Sequence, residues 1–428
     1  MIDIKLIRES PEIVKNNIAK KFRDDKLVLV DKALNLDEQW KKIKNDEEGL
    51  RSERNKVSEK INQLMKSGKK KEADGFIKSA KKIPAEIEKL ETKRKNLETK
   101  LQEILSSIPN IMSKRVPSGK DDSENIVEAT YGKPEKFSFP VKSHAEIADG
   151  LGLADFESSG RVSGSGFYYL EGDLALLNQA LIRFAIDKMV KKKFVYVETP
   201  LMLKNEVINR VTDLNDQEMM IYRIGNDDVS LIGTSEHSLI GRFVDREINL
   251  KDLPIKHTSY SMCFRKEIGS HGIDEKGLFR THQFNKVEMI VICLPEDSEK
   301  FFEELKGITV EIFKDLEIPT RVLQICSGDL GDLKYEQVDV EVYSPRKGDY
   351  IEAGSCSNLT SAQARKLGIS TRLKGDRITP HTLNNTAIAT SRALVAILEN
   401  NQQKDGSVKI PKVLQKYMGG KKVLEKKD

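Results

Sequence analysis

The sequence predicts an α+β fold, an antiparallel sheet flanked by helices and preceded by an N-terminal antiparallel α-helical coiled-coil arm. Three observations carry that expectation. Two heptad runs of near-equal length are joined by a short glycine turn, so each apolar stripe can be buried only against the other. Beyond them, strand segments are separated by long loops instead of strict βαβ units, which favours an antiparallel over a doubly wound sheet. Finally, 428 residues exceed one compact core, so more than one domain is expected.

Taken in order, residues 1–34 form a small opening unit with helical spacing in Ile4, Leu6, Ile7, Ile13, Val14, Ile18 and Phe22. Ser10-Pro11-Glu12 reads as a helix start, with proline at the first helical position. From Leu36 the stripe becomes a heptad through Trp40, Ile43, Leu50, Val57, Ile61 and Leu64, with Glu47 and Arg54 on the same spacing. A second run follows in Ala80, Ile83, Ile87, Leu90, Leu97, Leu101 and Ile104, broken once by Arg94. The turn lies at Ser67-Gly68, and Pro84 is expected to bend the second helix near the tip. The hairpin thus spans about 36–105, within an N-terminal domain of 1–108. Residues 109–143 lose periodicity and gather prolines, so they read as a linker. A larger domain over 144–428 follows, with a helix at 173–192 and strands at 194–197, 257–264, 287–293, 338–343 and 349–353. An apolar helix is predicted over 383–399.

Charge and cysteine usage exclude several classes. The balance of 72 basic against 67 acidic side chains is too even for a polybasic chain, so any polyanion contact depends on local clusters. Two clusters exist, at 66–82 and 403–428. No apolar run approaches the roughly 20 residues of a membrane span, and no signal-peptide pattern opens the chain, so no membrane partner and a cytoplasmic location are expected. Cys263, Cys293, Cys326 and Cys356 form no CxxC pair; they read as reduced packing residues, and no zinc is expected.

The segment 263–289, CFRKEIGSHGIDEKGLFRTHQFNKVEM, reads as strand, glycine-punctuated loop and strand. Arg265 and Glu267 share one face, and Phe284, Lys286 and Glu288 share another. Guanidinium groups, an aromatic plane and carboxylates aimed at one cleft suit a nucleotide. Taken alone, the same pattern also suits a charged surface hairpin with a core phenylalanine. His271 and His282 read as a solvent-facing loop residue and a hydrogen-bonding scaffold, not as acid–base groups.

These residues resemble motif 2 of class II aminoacyl-tRNA synthetases, in detail that of seryl-tRNA synthetases. The family's FRxE, GLxR and HQFxxVE blocks stand here as Phe264-Arg265-Lys266-Glu267, Gly277-Leu278-Phe279-Arg280 and His282-Gln283-Phe284-Asn285-Lys286-Val287-Glu288. Residues 194–201 resemble motif 1, which in this class builds a dimer interface. Thr234-Ser235-Glu236 is similar to the family's TxE serine loop, 349–358 to its metal-binding segment, and 384–392 to motif 3. Three departures stand out. Glu336-Gln337-Val338-Asp339 replaces a usual Lys-x-Tyr-Asp, Gly354 stands where serine is common, and Thr386 is serine in many bacterial members.

The resemblance implies an ATP- and Mg²⁺-dependent enzyme, a serine–tRNA ligase, that activates L-serine and charges tRNA(Ser), with tRNA(Sec) as a further candidate, working as a homodimer. ATP binding would fall to Arg265, Lys266, Glu267, Arg280, Phe284, Glu352, Ala353, Gly354, Ser355 and Arg392. Among them, Arg265 would grip the α-phosphate, Arg280 the γ-phosphate, and Phe284 and Arg392 would sandwich the adenine with Glu267 near its amino group. Arg265 and Arg392 would be catalytic, and Glu352 and Ser355 would hold Mg²⁺. Thr234, Ser235, Glu236, Glu288 and Thr386 would bind serine. On the arm, Arg51, Arg54, Lys56, Lys60, Lys69, Lys70 and Lys71 would track the tRNA backbone. The rival expectations are a ligase acting on a carrier protein and an inactive paralogue used as a binding protein.

Overall fold

The computed structural model describes residues 1–268 and 277–426, in two compact units, Met1–Pro109 and Asn110–Asp428. In the first, helices α1 (Ile4–Glu9) and α2 (Pro11–Lys20) meet at Ser10, which ends one and starts the other. Ile7, Val14 and Ile18 are wholly buried. Helix α3 (Leu27–Lys66) is 40 residues long and begins well before the heptad does. Its first turns bury Val30, Ala33 and Asp37, and Asp37 receives Arg8 of α1 at 2.7 Å, so the helix is anchored to the opening unit before the arm departs.

Gly68, at φ +75°, makes the turn at the tip, a conformation that side-chain-bearing residues adopt reluctantly. The return limb is two helices, not one bent helix: α4 (Lys70–Ala80) stops, and α5 (Ile83–Ser107) restarts with Pro84 in its first turn, where a missing N–H is harmless. Ile43, Leu64, Ile83, Ile87, Leu97 and Leu101 fill the seam. Glu47 is buried among them and accepts from Arg94 at 2.8 Å and Arg51 at 3.0 Å. Arg54, on the same spacing, stays exposed.

The second unit is organised by an eight-stranded sheet. In chain order its strands are β1 (Ile126–Tyr131), β2 (Val195–Tyr196), β3 (Ile255–Phe264), β4 (Gln283–Cys293), β5 (Thr320–Gln324), β6 (Glu336–Ser344), β7 (Asp349–Thr360) and β8 (His381–Ala389). The spatial order is β1-β5-β6-β7-β8-β4-β3-β2, antiparallel except for the edge pair β2 and β3. Helices α6 (His144–Gly150), α7 (Gly172–Lys191), α8 (Ser235–Gly241), α9 (Ser298–Asp315) and α10 (Thr390–Asn400) surround it. The core between sheet and helices includes Leu174, Leu181, Phe302, Phe313, Val338, Val340, Leu394 and Ile397. Each such side chain is worth about 1.5–3 kcal/mol of burial.

Two expectations are corrected. The expected linker 109–143 is not free of regular structure: β1 forms the sheet edge, and Asn110 is buried with its amide donating to the Leu333 and Leu359 carbonyls at 3.1 Å. Nor is 383–399 one helix, because β8 supplies its first half and α10 only the second. All four cysteines are free and buried. Among the described residues no helix is long and apolar enough to cross a membrane.

Candidate active site

The cleft of about 780 Å³ opens on one face of the sheet, where β4, β6, β7 and β8 present polar side chains. Alternation explains the set. On β4, Phe284, Lys286 and Glu288 point into the cleft while Val287 and Met289 pack in the core. On β6, Val338, Val340 and Val342 are buried beneath while Asp339 and Glu341 line the cleft. On β7 the register slips by one residue opposite Val340 and Glu341. That bulge lets Glu352 and Ser355, three apart, both face the cleft, where a regular strand would send them to opposite faces.

One end of the cleft is a buried polar pocket. Glu288, 1% exposed, is ion-paired to Lys286 and accepts from Thr234 Oγ1 at 3.3 Å and Thr386 Oγ1 at 3.5 Å. Glu236 stands beside it and accepts from Gln363 at 2.9 Å. Burial and the charge of Glu288 push the Glu236 carboxyl up to about 7. Thr234 serves two purposes, since it also caps α8 by accepting from the Glu236 amide. Ser235 lies outside the cleft lining; its hydroxyl is buried and donates to the Ser259 carbonyl at 3.3 Å.

The other end holds the arginines. Arg265 donates to the Gly233 carbonyl at 3.1 Å, and its guanidinium lies 5.3 Å from the centre of the Phe284 ring. Arg392 donates to the Glu352 carbonyl at 2.7 Å and pairs with its carboxylate at 3.1 Å. The ring beneath Arg392 is that of Phe279, at 5.2 Å, so each expected member of the adenine sandwich already has another partner in this structure. Arg280 and Glu267 also line the cleft, and Glu267 holds φ +50°, a backbone state that side-chain-bearing residues adopt at a penalty and that recurs at functional sites. Lys266 is absent from the lining; its amide bonds the Met220 carbonyl. His282 does act as scaffold, with Nδ1 2.9 Å from the Arg265 carbonyl. Gly269, His271 and Gly272 lie outside the described residues.

Asp339 stands opposite Ser355 in the β6–β7 register, next to Glu352. Burial and the Glu352 charge raise the Asp339 carboxyl to about 7, while Arg392 outweighs desolvation and holds Glu352 below its usual range. Two carboxylates and a hydroxyl crowded on one side of a cleft are a hard-oxygen donor set that suits a divalent cation. Sequence reasoning gives Asp339, Gln363 and Phe279 no role in the site, and places Lys286 on the face of Phe284 and Glu288 without a role of its own. The strict Val-Asp-Val-Glu-Val alternation of β6 is the available signal for Asp339. The arm cations are not all brought together: by helical spacing Arg51 and Arg54 share one face and Lys56 and Lys60 another, with Lys69, Lys70 and Lys71 at the exposed tip.

An eight-stranded, mostly antiparallel sheet carrying this cleft, with the first turn of α10 beside it, defines a class II tRNA synthetase. The profile of the class II core domain for G, H, P, S and T synthetases matches residues 221–401, and that of the seryl-tRNA synthetase N-terminal domain matches 1–112. The serine–tRNA ligase of Methanocella arvoryzae is 44% identical over 99% of this chain and 100% of its own length. The crystal structure of seryl-tRNA synthetase from Pyrococcus horikoshii complexed with ATP is 40% identical, covers 100% of both chains and superposes with a TM-score of 0.92. The cytoplasmic enzyme of Naegleria fowleri in complex with AMP, 32% identical, covers 100% of this chain and 99% of its own, with a TM-score of 0.88. The chain belongs to the seryl-tRNA synthetase family.

Proposed function

We propose that the cleft joins ATP to L-serine as seryl-adenylate and passes the seryl group to the 3′ end of tRNA(Ser), with tRNA(Sec) within the same reading. The observation that carries it is the pairing of a buried, polar Glu288–Lys286–Thr386 pocket with the arginine-lined end of one continuous cleft. In the first step a serine carboxylate oxygen attacks the α-phosphorus and pyrophosphate leaves. In the second, a terminal ribose hydroxyl of tRNA attacks the acyl carbon and AMP leaves. The attacking carboxylate is already ionised, so the protein's work in the first step is positioning and charge neutralisation.

Arg265 meets the α-phosphate, where charge grows in the transition state, and Arg280 meets the far phosphates. Glu236 and Thr234 take the serine ammonium, and Glu288 and Thr386 its hydroxyl. A site that bonds a hydroxyl rejects alanine because its polar groups would be left unpaired. Glu352 and Ser355, with Asp339 beside them, would hold Mg²⁺. The bound ion would supply neutralisation of phosphate charge. The arm cations track the tRNA backbone, and the N-terminal domain that bears them favours tRNA over a carrier protein as acceptor.

Replacing Arg265 by alanine should lower serine-dependent pyrophosphate exchange by at least about 10²-fold, the scale of removing one transition-state charge interaction. Near-normal exchange would sink the assignment. A homodimer belongs to the same reading, since Val195, Leu201 and Met202, around the edge strand β2, are 59%, 37% and 52% exposed. Light scattering should give twice the chain mass, and Met202→Glu should halve it; a monomeric parent removes this part of the proposal.

A further inference from the structure

We propose that His144 is a positioning residue for nucleotide binding: its ring ties residues 277–280 to the far end of α10 and so fixes where Phe279 and Arg280 meet the cleft. The inference rests on the reading that Arg280 meets ATP.

His144 sits at the start of α6, 2% exposed, between two elements that both reach the cleft. Its Nε2 accepts the Leu278 backbone N–H at 3.1 Å. Because that amide is a donor without alternative, Nε2 carries the lone pair and the neutral ring bears its proton on Nδ1. Nδ1 then donates to Glu399 Oε1 at 3.0 Å, and the His144 backbone N–H reaches the same oxygen at 3.2 Å. The Ser344 hydroxyl donates to the other oxygen of Glu399. Burial pushes the Glu399 carboxyl up, while the hydrogen bonds from His144 and Ser344 push it down.

The loop approaches the ring as closely as a backbone can. Gly277, at φ +107°, would place a Cβ 2.2 Å from His144 Nε2, so only glycine fits there. Leu278 is wholly buried in the main core. Glu399 lies seven residues beyond Arg392 on α10, about two turns and hence on the same side. At the near end Arg392 covers Phe279, so α10 grips residues 277–280 twice, through Phe279 at its first turn and through Glu399 and His144 at its last. Arg280 follows directly. Removing the ring would leave the Leu278 N–H unpaired in a dry core and free the short segment that aims Arg280.

The test compares KM for ATP with KM for serine in pyrophosphate exchange. His144→Ala should raise the ATP KM on the order of tenfold, the scale of one buried amide left unpaired, with the serine KM within about twofold. His144→Gln, whose amide oxygen can reach the Leu278 N–H, should recover most of that loss. An ATP KM unchanged in His144→Ala overturns the proposal. So does a parallel rise of both constants, the signature of a generally loosened core. Should His144→Ala not fold, Glu399→Gln takes its place. It keeps the shape but weakens the hold on Nδ1, and a selective ATP KM rise of a few-fold is expected; no rise overturns the proposal. Arg280→Ala separates the two readings. If it raises the ATP KM while His144→Ala does not, only the positioning role fails. If Arg280→Ala leaves the ATP KM unchanged, the nucleotide reading of the segment fails with it.

Discussion

Glu236 is buried beside Glu288 and accepts from Gln363, and its carboxyl rises from the ordinary 4.5 to about 7. The native state therefore binds an extra proton between those two values. The stability that this protonation contributes is lost as pH rises through about 7. Serine binding runs the other way, because its ammonium needs the ionised carboxylate. The serine KM should fall as pH rises through 7, by up to about tenfold per pH unit on the acid side, and Glu236→Gln should flatten that limb while raising KM throughout. A serine KM without slope across pH 7 removes Glu236 from the ammonium site. Much of this site is legible in the sequence because its residues fall in short runs such as 264–267 and 280–288. Lys286 is visible there only as part of an alternation. Gln363 is not visible, since it arrives from a helix after β7 and meets Glu236 only through the fold.

At the scale of elements, periodicity reports the arm well and the sheet unevenly. Both heptad runs are helices, but α3 starts early because Val30 and Ala33 are already buried on it, ahead of the heptad that begins at Leu36. β8 reads as helix in the sequence because Leu383, Ala387 and Leu394 fall on a helical spacing that runs on into α10, while Asn384 and Thr386, which the strand turns to the cleft, leave no clean apolar alternation. β1 escapes the pattern because its side chains are mostly exposed at a sheet edge. On the arm, Glu47 between Arg94 and Arg51 sets the pairing of the two limbs. Glu47→Ala should lower arm stability by about 1–3 kcal/mol by leaving Arg94 only the more distant and exposed Glu98, and Glu47→Leu with Arg94→Leu should restore or exceed the parent. Trp40, the single tryptophan, sits on α3 and reports arm unfolding by fluorescence in denaturant. An unchanged midpoint in Glu47→Ala would show that the network adds nothing.

For the molecule as a whole, the division into Met1–Pro109 and Asn110–Asp428 predicts that the two half-reactions can be separated. All residues assigned to ATP and serine lie in the second unit, and the densest lysine cluster of the first lies at the arm tip, 66–82. The pairing of the limbs fixes where to cut. Arg94 bonds Glu47, and Arg51 pairs with Glu91, so these residues mark matching levels on the two limbs. Replacing 55–87 by a short glycine-serine bridge cuts just beyond the Arg51–Glu91 level and keeps the seam below it. Pyrophosphate exchange should survive within several-fold, because the cleft is untouched. Transfer to tRNA should collapse, since neutralisation of backbone phosphates supplies most sequence-independent affinity. Lys69, Lys70 and Lys71 changed together to alanine should be a milder version, reducing the slope of log affinity against log salt by about one for each phosphate that the arm no longer neutralises. Normal tRNA charging by the truncated chain would give the arm another task and reopen the carrier-protein reading of the acceptor.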